Sequence, residues 1–115
     1  MKREYLDYLE DLVLAMDRAM SFITGMQYSS FKKDDKTVYA VIRAIEIIGE
    51  AAKKIPVAVK SKYPDIPWKE MAGMRDKLIH EYFGVKLDIV WNTVKNEIPS
   101  LHKRLAGIID ELKNE

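Results

Sequence analysis

The sequence has no cysteine, which excludes a disulfide frame, a thiolate nucleophile and a thiolate metal site together. Glycine and proline are scarce, 5 and 4 residues in 115, and nearly all sit near plausible element boundaries. No glycine-rich phosphate loop is present. Charge of one sign is also missing: 19 basic residues against 18 acidic ones leave a net charge of +1. General nucleic-acid binders usually show a basic excess or a basic face, so any such contact has to be local. No apolar run reaches the roughly 18 residues that a membrane helix needs. The start, MKREYLDYLEDLV, carries acidic residues inside the would-be apolar stretch and does not read as a signal peptide. The expectation is a single cytoplasmic domain spanning residues 1–115, large enough for one core.

What is present is helical periodicity. Apolar residues recur every three or four positions almost throughout, and no strand pattern survives inspection. Tyr5, Leu6, Leu9, Leu12, Val13, Met16, Ala19, Met20 and Ile23 make an amphipathic first helix that ends near Gly25. Residues 27–35 read as a polar connection, with Asp34 or Asp35 placed to cap a second long helix over 37–54. That helix is apolar nearly all round and should be central. A short helix over 55–62 is consistent with Pro56 at a first helical position. YPDIP at 63–67 is a break, and Pro67 starts a helix over 68–83. Residues 87–96 form a fourth long helix and Pro99 opens a fifth. The fold class is all-α, an antiparallel bundle of four or five helices.

Arg75 is the residue that breaks the pattern. At roughly 100° per residue, Trp68, Met71, Ala72, Leu78, Ile79 and Tyr82 share one face of their helix, and Arg75 falls near its centre. A guanidinium is rarely buried without a partner, so this stripe should meet an anion, a carboxylate or a cleft. Tyr82 is one heptad on and nearly in line. His80 lies roughly 140° round from Arg75, so one straight helix cannot aim both at the same atom. The arginine bends round, the helix distorts, or a second copy of the chain supplies the complement. Gly84 is a natural C-terminal stop, which puts His80 near the carbonyl end of the helix, where a protonated imidazole is favoured. Glu46 and Glu50 belong to a seam with Arg43 and Lys53 on the second long helix. That seam is either an exposed, self-neutralising strip or a set of cleft carboxylates facing Arg75 across the bundle or a dimer.

An arginine and a histidine suit RNA cleavage without metal, because RNA brings its own nucleophile. Histidine moves protons to and from the 2′- and 5′-oxygens, and the guanidinium fork holds the phosphate. The structural alternative pairs the arginine with a core carboxylate and leaves the histidine as a helix-end cap. The two histidines, His80 and His102, lack ligand-spaced partners, so neither a metal nor a cofactor is expected. His102 reads as a residue of a partly exposed helix face.

Residues 72–85, AGMRDKLIHEYFGV, resemble the signature of HepT-type proteins, a branch of the HEPN superfamily. The R-x4-H-x-Y core is matched by Arg75, His80 and Tyr82, and the polar residue often found after the arginine by Asp76. The likeness extends to AVIRAIEIIGEAAKKIP at 40–56, YPDIPWKEMAGMRD at 63–76 and FGVKLDIVW at 83–91. The resemblance implies a HEPN-like helical domain working as a metal-independent ribonuclease toxin. It implies a homodimer with a composite site using Arg75 and His80, supported by Asp76. It also implies a type VII toxin–antitoxin pair, in which a cognate MntA-type nucleotidyltransferase antitoxin neutralises the toxin by transferring AMP to Tyr82. The competing reading is a non-catalytic nucleotide- or protein-binding helical module that partners a nucleotidyltransferase. The near-neutral charge keeps that alternative in play.

Overall fold

The computed structural model describes residues 4–80 and 86–115; the side chains of Arg75, Lys77, Leu78, Ile79 and His80 lie outside that description. Every regular element among the described residues is helical: α1 (Glu4–Phe22), α2 (Tyr28–Phe31), α3 (Asp35–Lys53), α4 (Val57–Lys62), α5 (Trp68–His80), α6 (Leu87–Asn92) and α7 (Ile98–Lys113). Helix α3 packs against both α1 and α5, and α7 packs against α1.

The reason lies in the distribution of apolar side chains. Val41, Ala44, Ile45, Ile48, Ala51 and Ala52 are all buried along α3, so it needs cover on more than one side. Leu9, Leu12, Met16 and Ala19 of α1 meet it on one flank, and Trp68 and Met71 of α5 belong to the same core. Leu105, Ile108, Ile109 and Leu112 of α7 complete that core.

The local signals act as their chemistry requires. Gly25, at φ 79°, turns the chain after α1 in the left-handed region that glycine enters without strain. The Asp34 carboxylate accepts a hydrogen bond from the Thr37 amide at 3.1 Å and so caps α3. Pro56 sits one position earlier than expected, as the extended N-cap residue of α4. The Thr37 amide also holds the Asp34 carboxyl below the usual aspartate range. A depressed folded-state pKa contributes stability above the unfolded value and loses it as pH falls through the folded one. Asp34→Ala is therefore expected to lower the urea midpoint at neutral pH. That difference from the wild type should close below about pH 4, as equilibrium unfolding at a series of pH values would show.

Two sequence expectations are corrected. The 27–35 connection is not wholly polar coil. It holds α2, and Phe31 at its end is completely buried. A single helical turn is enough to swing that ring inward, and a four-residue turn gives no periodicity to detect. Nor does Pro99 separate two helices. Helix α6 runs through a π-helical turn, Thr93–Glu97, directly into α7. The Ile98 amide reaches back to the Thr93 carbonyl. Proline has no N–H to offer and its ring crowds the carbonyl four residues earlier. The wider turn relieves that crowding without breaking the helix.

Candidate functional site

Helix α5 carries Arg75 and His80, and the fold holds it at two places. At its start, the Trp68 indole N–H donates to the Tyr63 carbonyl at 3.0 Å, under a ring that is itself buried. The Tyr63 hydroxyl donates to Glu111 at 2.9 Å, and Arg104 grips Asp65 at 2.7 Å. Arg104 also lies 5.5 Å from the Tyr63 ring centroid. The YPDIP break is thus fastened to α7, and α5 leaves it in a fixed direction. Burial pushes the Tyr63 phenol up, and the Glu111 carboxylate adds to the effect. The Arg104 hydrogen bond holds the Asp65 carboxyl below its ordinary range.

Further along α5, the Lys53 ammonium reaches Asp76 with two hydrogen bonds, at 3.1 and 3.2 Å. Lys53 lies in the last turn of α3, so this contact ties the end of the central helix to the residue directly after Arg75. Each side chain is 45% exposed, so the pair adds little to global stability. What it adds is a local tether from α3 to α5 beside the Arg75 position. Lys53→Ala is expected to cut any RNA cleavage by roughly tenfold while shifting the melting temperature by no more than a degree or two. Lys53→Arg should restore most of the rate. Thermal melting beside initial-rate assays separates the two effects.

The sequence-predicted residues fall into two groups. Asp76 is placed as described. Glu46 and Glu50 lie beside Arg43 of their own helix, whose Nη1 is 3.6 Å from Glu46 and 3.8 Å from Glu50. Arg75 occupies a position in α5 one turn after buried Met71, but its side chain, and that of His80 at the helix end, lie outside the described residues. Tyr82 and Gly84 lie outside them altogether. The second histidine, His102, is half-buried on α7, with Nε2 2.6 Å from the Asp17 carboxylate of α1 in a contact not aligned as a hydrogen bond. Among the described residues, no three acidic or histidine side chains cluster as a metal site would require. A pocket of about 50 Å³ opens between α5 and the π turn, lined by Met71, Met74, Thr93 and Glu97 among others. It is far smaller than a nucleotide site.

Sequence reasoning missed Lys53. It placed the residue on the seam with Arg43, Glu46 and Glu50 but did not connect it to Asp76, 23 residues away. Only the packing of α3 on α5 brings them together.

The helical frame and the positions of Arg75 and His80 in α5 agree with the comparisons. The profile of the Ribonuclease HepT-like family matches residues 12–108, and the chain belongs to that family. A protein of Thermococcus cleftensis named as a probable ribonuclease HepT is 54% identical over 101 residues, covering 88% of this chain and 92% of that one. A Methanocaldococcus jannaschii protein named as a putative RNase is 48% identical over 114 residues, 99% of this chain and 98% of its own. Another so named, from Caldanaerobacter subterraneus, is 43% identical over 92% of this chain and 95% of its own. No solved structure matches. The fold is the all-helical one of this family, and the class of activity is that of a ribonuclease. No helix among the described residues is long and apolar enough to cross a membrane.

Proposed function

We propose that the chain is the endoribonuclease toxin of a type VII toxin–antitoxin pair and cuts RNA without metal at a composite homodimer site. What supports this reading is the spacing of Arg75 and His80 along α5 in a chain of the HepT-like family, with Asp76, the residue after Arg75, tied to Lys53 of α3. Arg75 and His80 are the catalytic residues in this reading, and Asp76 supports them. A histidine takes the proton of the RNA 2′-hydroxyl, whose oxygen attacks the adjacent phosphorus. The P–O5′ bond breaks, and the leaving 5′-oxygen takes a proton from a second histidine, leaving a 2′,3′-cyclic phosphate. The Arg75 guanidinium neutralises charge building on the phosphate oxygens. One chain offers a single histidine in the motif. Two chains in a dimer supply both an acid and a base, with two arginines.

Regulation falls on Tyr82 in the same reading. A cognate nucleotidyltransferase of the MntA kind joins the tyrosine oxygen to the α-phosphorus of ATP and releases pyrophosphate. The added AMP places negative charge one heptad along from Arg75, where it competes with RNA phosphate and obstructs the cleft.

The test has two arms. Highly purified protein is expected to cut RNA in excess EDTA. Intact-mass measurement of the chain co-expressed with its neighbouring nucleotidyltransferase is expected to show one or more added AMP units, mapping to the peptide that holds Tyr82. No cleavage, with nucleotide binding that is lost in Arg75→Ala, would instead favour a non-catalytic binding module. The balanced net charge is the feature that favours this second reading.

A further inference from the structure

A second group of side chains lies outside the motif, where α2 meets α6. The Trp91 ring is 6.0 Å from Tyr28 and 5.2 Å from Phe31, tilted at 59° and 44°. Phe31 is wholly buried and forms the floor, whereas Tyr28 and Trp91 are half-buried at the surface. Two ammonium groups flank these rings. Lys32 Nζ lies 5.6 Å from the Tyr28 centroid, and Lys95 Nζ lies 5.9 Å from that of Trp91.

What sets these lysines apart is the aromatic face beneath each, since Lys33, Lys69 and Lys103 also lack a carboxylate partner among the described residues. Lys53, Lys62, Lys113, Arg43 and Arg104 are each engaged by a carboxylate. Lys32 and Lys95 have no carboxylate partner among the described residues and rest on aromatic faces instead. Such a contact is weak at an exposed site, about 0.5–1 kcal/mol, and a lysine stem is flexible enough to leave it for a phosphate. Lys54 sits over Tyr8 in the same way, but there one ring stands with one cation. At Tyr28 and Trp91, two tilted rings and two free ammoniums share one surface.

We propose that Tyr28, Trp91, Lys32 and Lys95 form a binding subsite for single-stranded RNA, outside the Arg75–His80 motif. Bases stack on the exposed parts of the Tyr28 and Trp91 rings, and the displaced ammoniums take the flanking phosphates. Single-strand binders use this combination of aromatic platform and cationic edge, and it needs no particular base sequence. A duplex keeps its bases stacked on one another and cannot use the rings. The site also answers the problem posed by a net charge of +1, since the attraction is local. Helix α6 begins seven residues after His80, so its start lies within roughly 25 Å of that histidine along any path of the chain. That bound lets one strand reach from Trp91 to the place where the proposed function has it cut. The proposal rests on that reading for its purpose but not for its test.

The test uses a short 2′-O-methyl oligouridylate, which has no free 2′-hydroxyl and cannot be cleaved, titrated into the full-length protein. Trp91 fluorescence is expected to be quenched, and the quench should vanish in Trp91→Phe, which keeps an aromatic ring against Phe31. Lys32→Glu with Lys95→Glu should weaken binding by about tenfold or more. It should also reduce the slope of log affinity against log salt by about 1.4, for two phosphates lost. Matched duplex RNA should bind more weakly and lose less. An unchanged affinity and salt slope in the folded double variant would overturn the proposal, as would a quench that survives in Trp91→Phe. Duplex binding at equal strength would overturn it too. Binding through these residues by a protein that never cuts RNA would uphold the subsite and sink the nuclease reading. Cleavage by a wild type whose double variant binds normally would do the reverse.

Discussion

His80→Ala and Arg75→Ala are each expected to lower the rate of RNA cleavage by about 10²–10⁴-fold while leaving the chain folded. The magnitude follows from what each group is asked to do. An imidazole in the right place moves a proton within the transition state. Without it, water must do so from a poorer position and with an unsuitable pKa. The guanidinium offers planar donors to phosphate oxygens whose charge grows as the reaction proceeds, so its loss raises the barrier more than it weakens binding. The rate should therefore fall with little change in affinity for the uncleavable oligonucleotide. A mixed dimer gives the sharper form of the test. Pairing His80→Ala chains with wild-type chains should leave the mixed dimer nearly as inactive as the His80→Ala homodimer if one site draws a histidine from each copy. About half of the wild-type activity in dimers demonstrably mixed would confine the chemistry to single chains. Loss of the folded state in either variant, seen by circular dichroism, would remove the catalytic interpretation.

Phe31→Ala is expected to destabilise the fold by about 3–5 kcal/mol. For a chain of this size that corresponds to a melting point lower by roughly 15–25 °C. Phe31 is completely buried at the end of a single-turn helix, and Trp91 packs on it. Nothing else in α2 is buried, so the turn cannot slide another apolar group into the space. The hole would lie under Trp91 and loosen α2 and α6 together. Differential scanning calorimetry gives the loss. A fall of less than about 1 kcal/mol would mean that neighbouring side chains refill the site.

The long helices were legible because each repeats its apolar stripe for several turns. Leu9, Leu12, Met16 and Ala19 announce α1, and Leu105, Ile108 and Leu112 announce α7. The Asp34 cap was legible from its residue type and place. The short pieces were not. Helix α2 ends before one period is complete, and Pro99 carries the same signal whether a helix stops or widens at that point. The candidate site divides in the same way. The R-x4-H-x-Y spacing in residues 75–82 is a property of one segment and can be read from the string. The Lys53–Asp76 tie and the Tyr28–Trp91 pair join segments 23 and 63 positions apart, and no local rule connects them.

The π turn at Thr93–Glu97 also bears on how the long helix tolerates a change of length. A regular α-helix that gains one residue must rotate everything beyond it. A π turn takes up the additional residue within a single wider loop of the spiral, so the segments on either side still meet the interior: Val90 on one, Ile98 and Leu105 on the other. In this chain, it is where gaining or losing one residue of the long helix would disturb either half least.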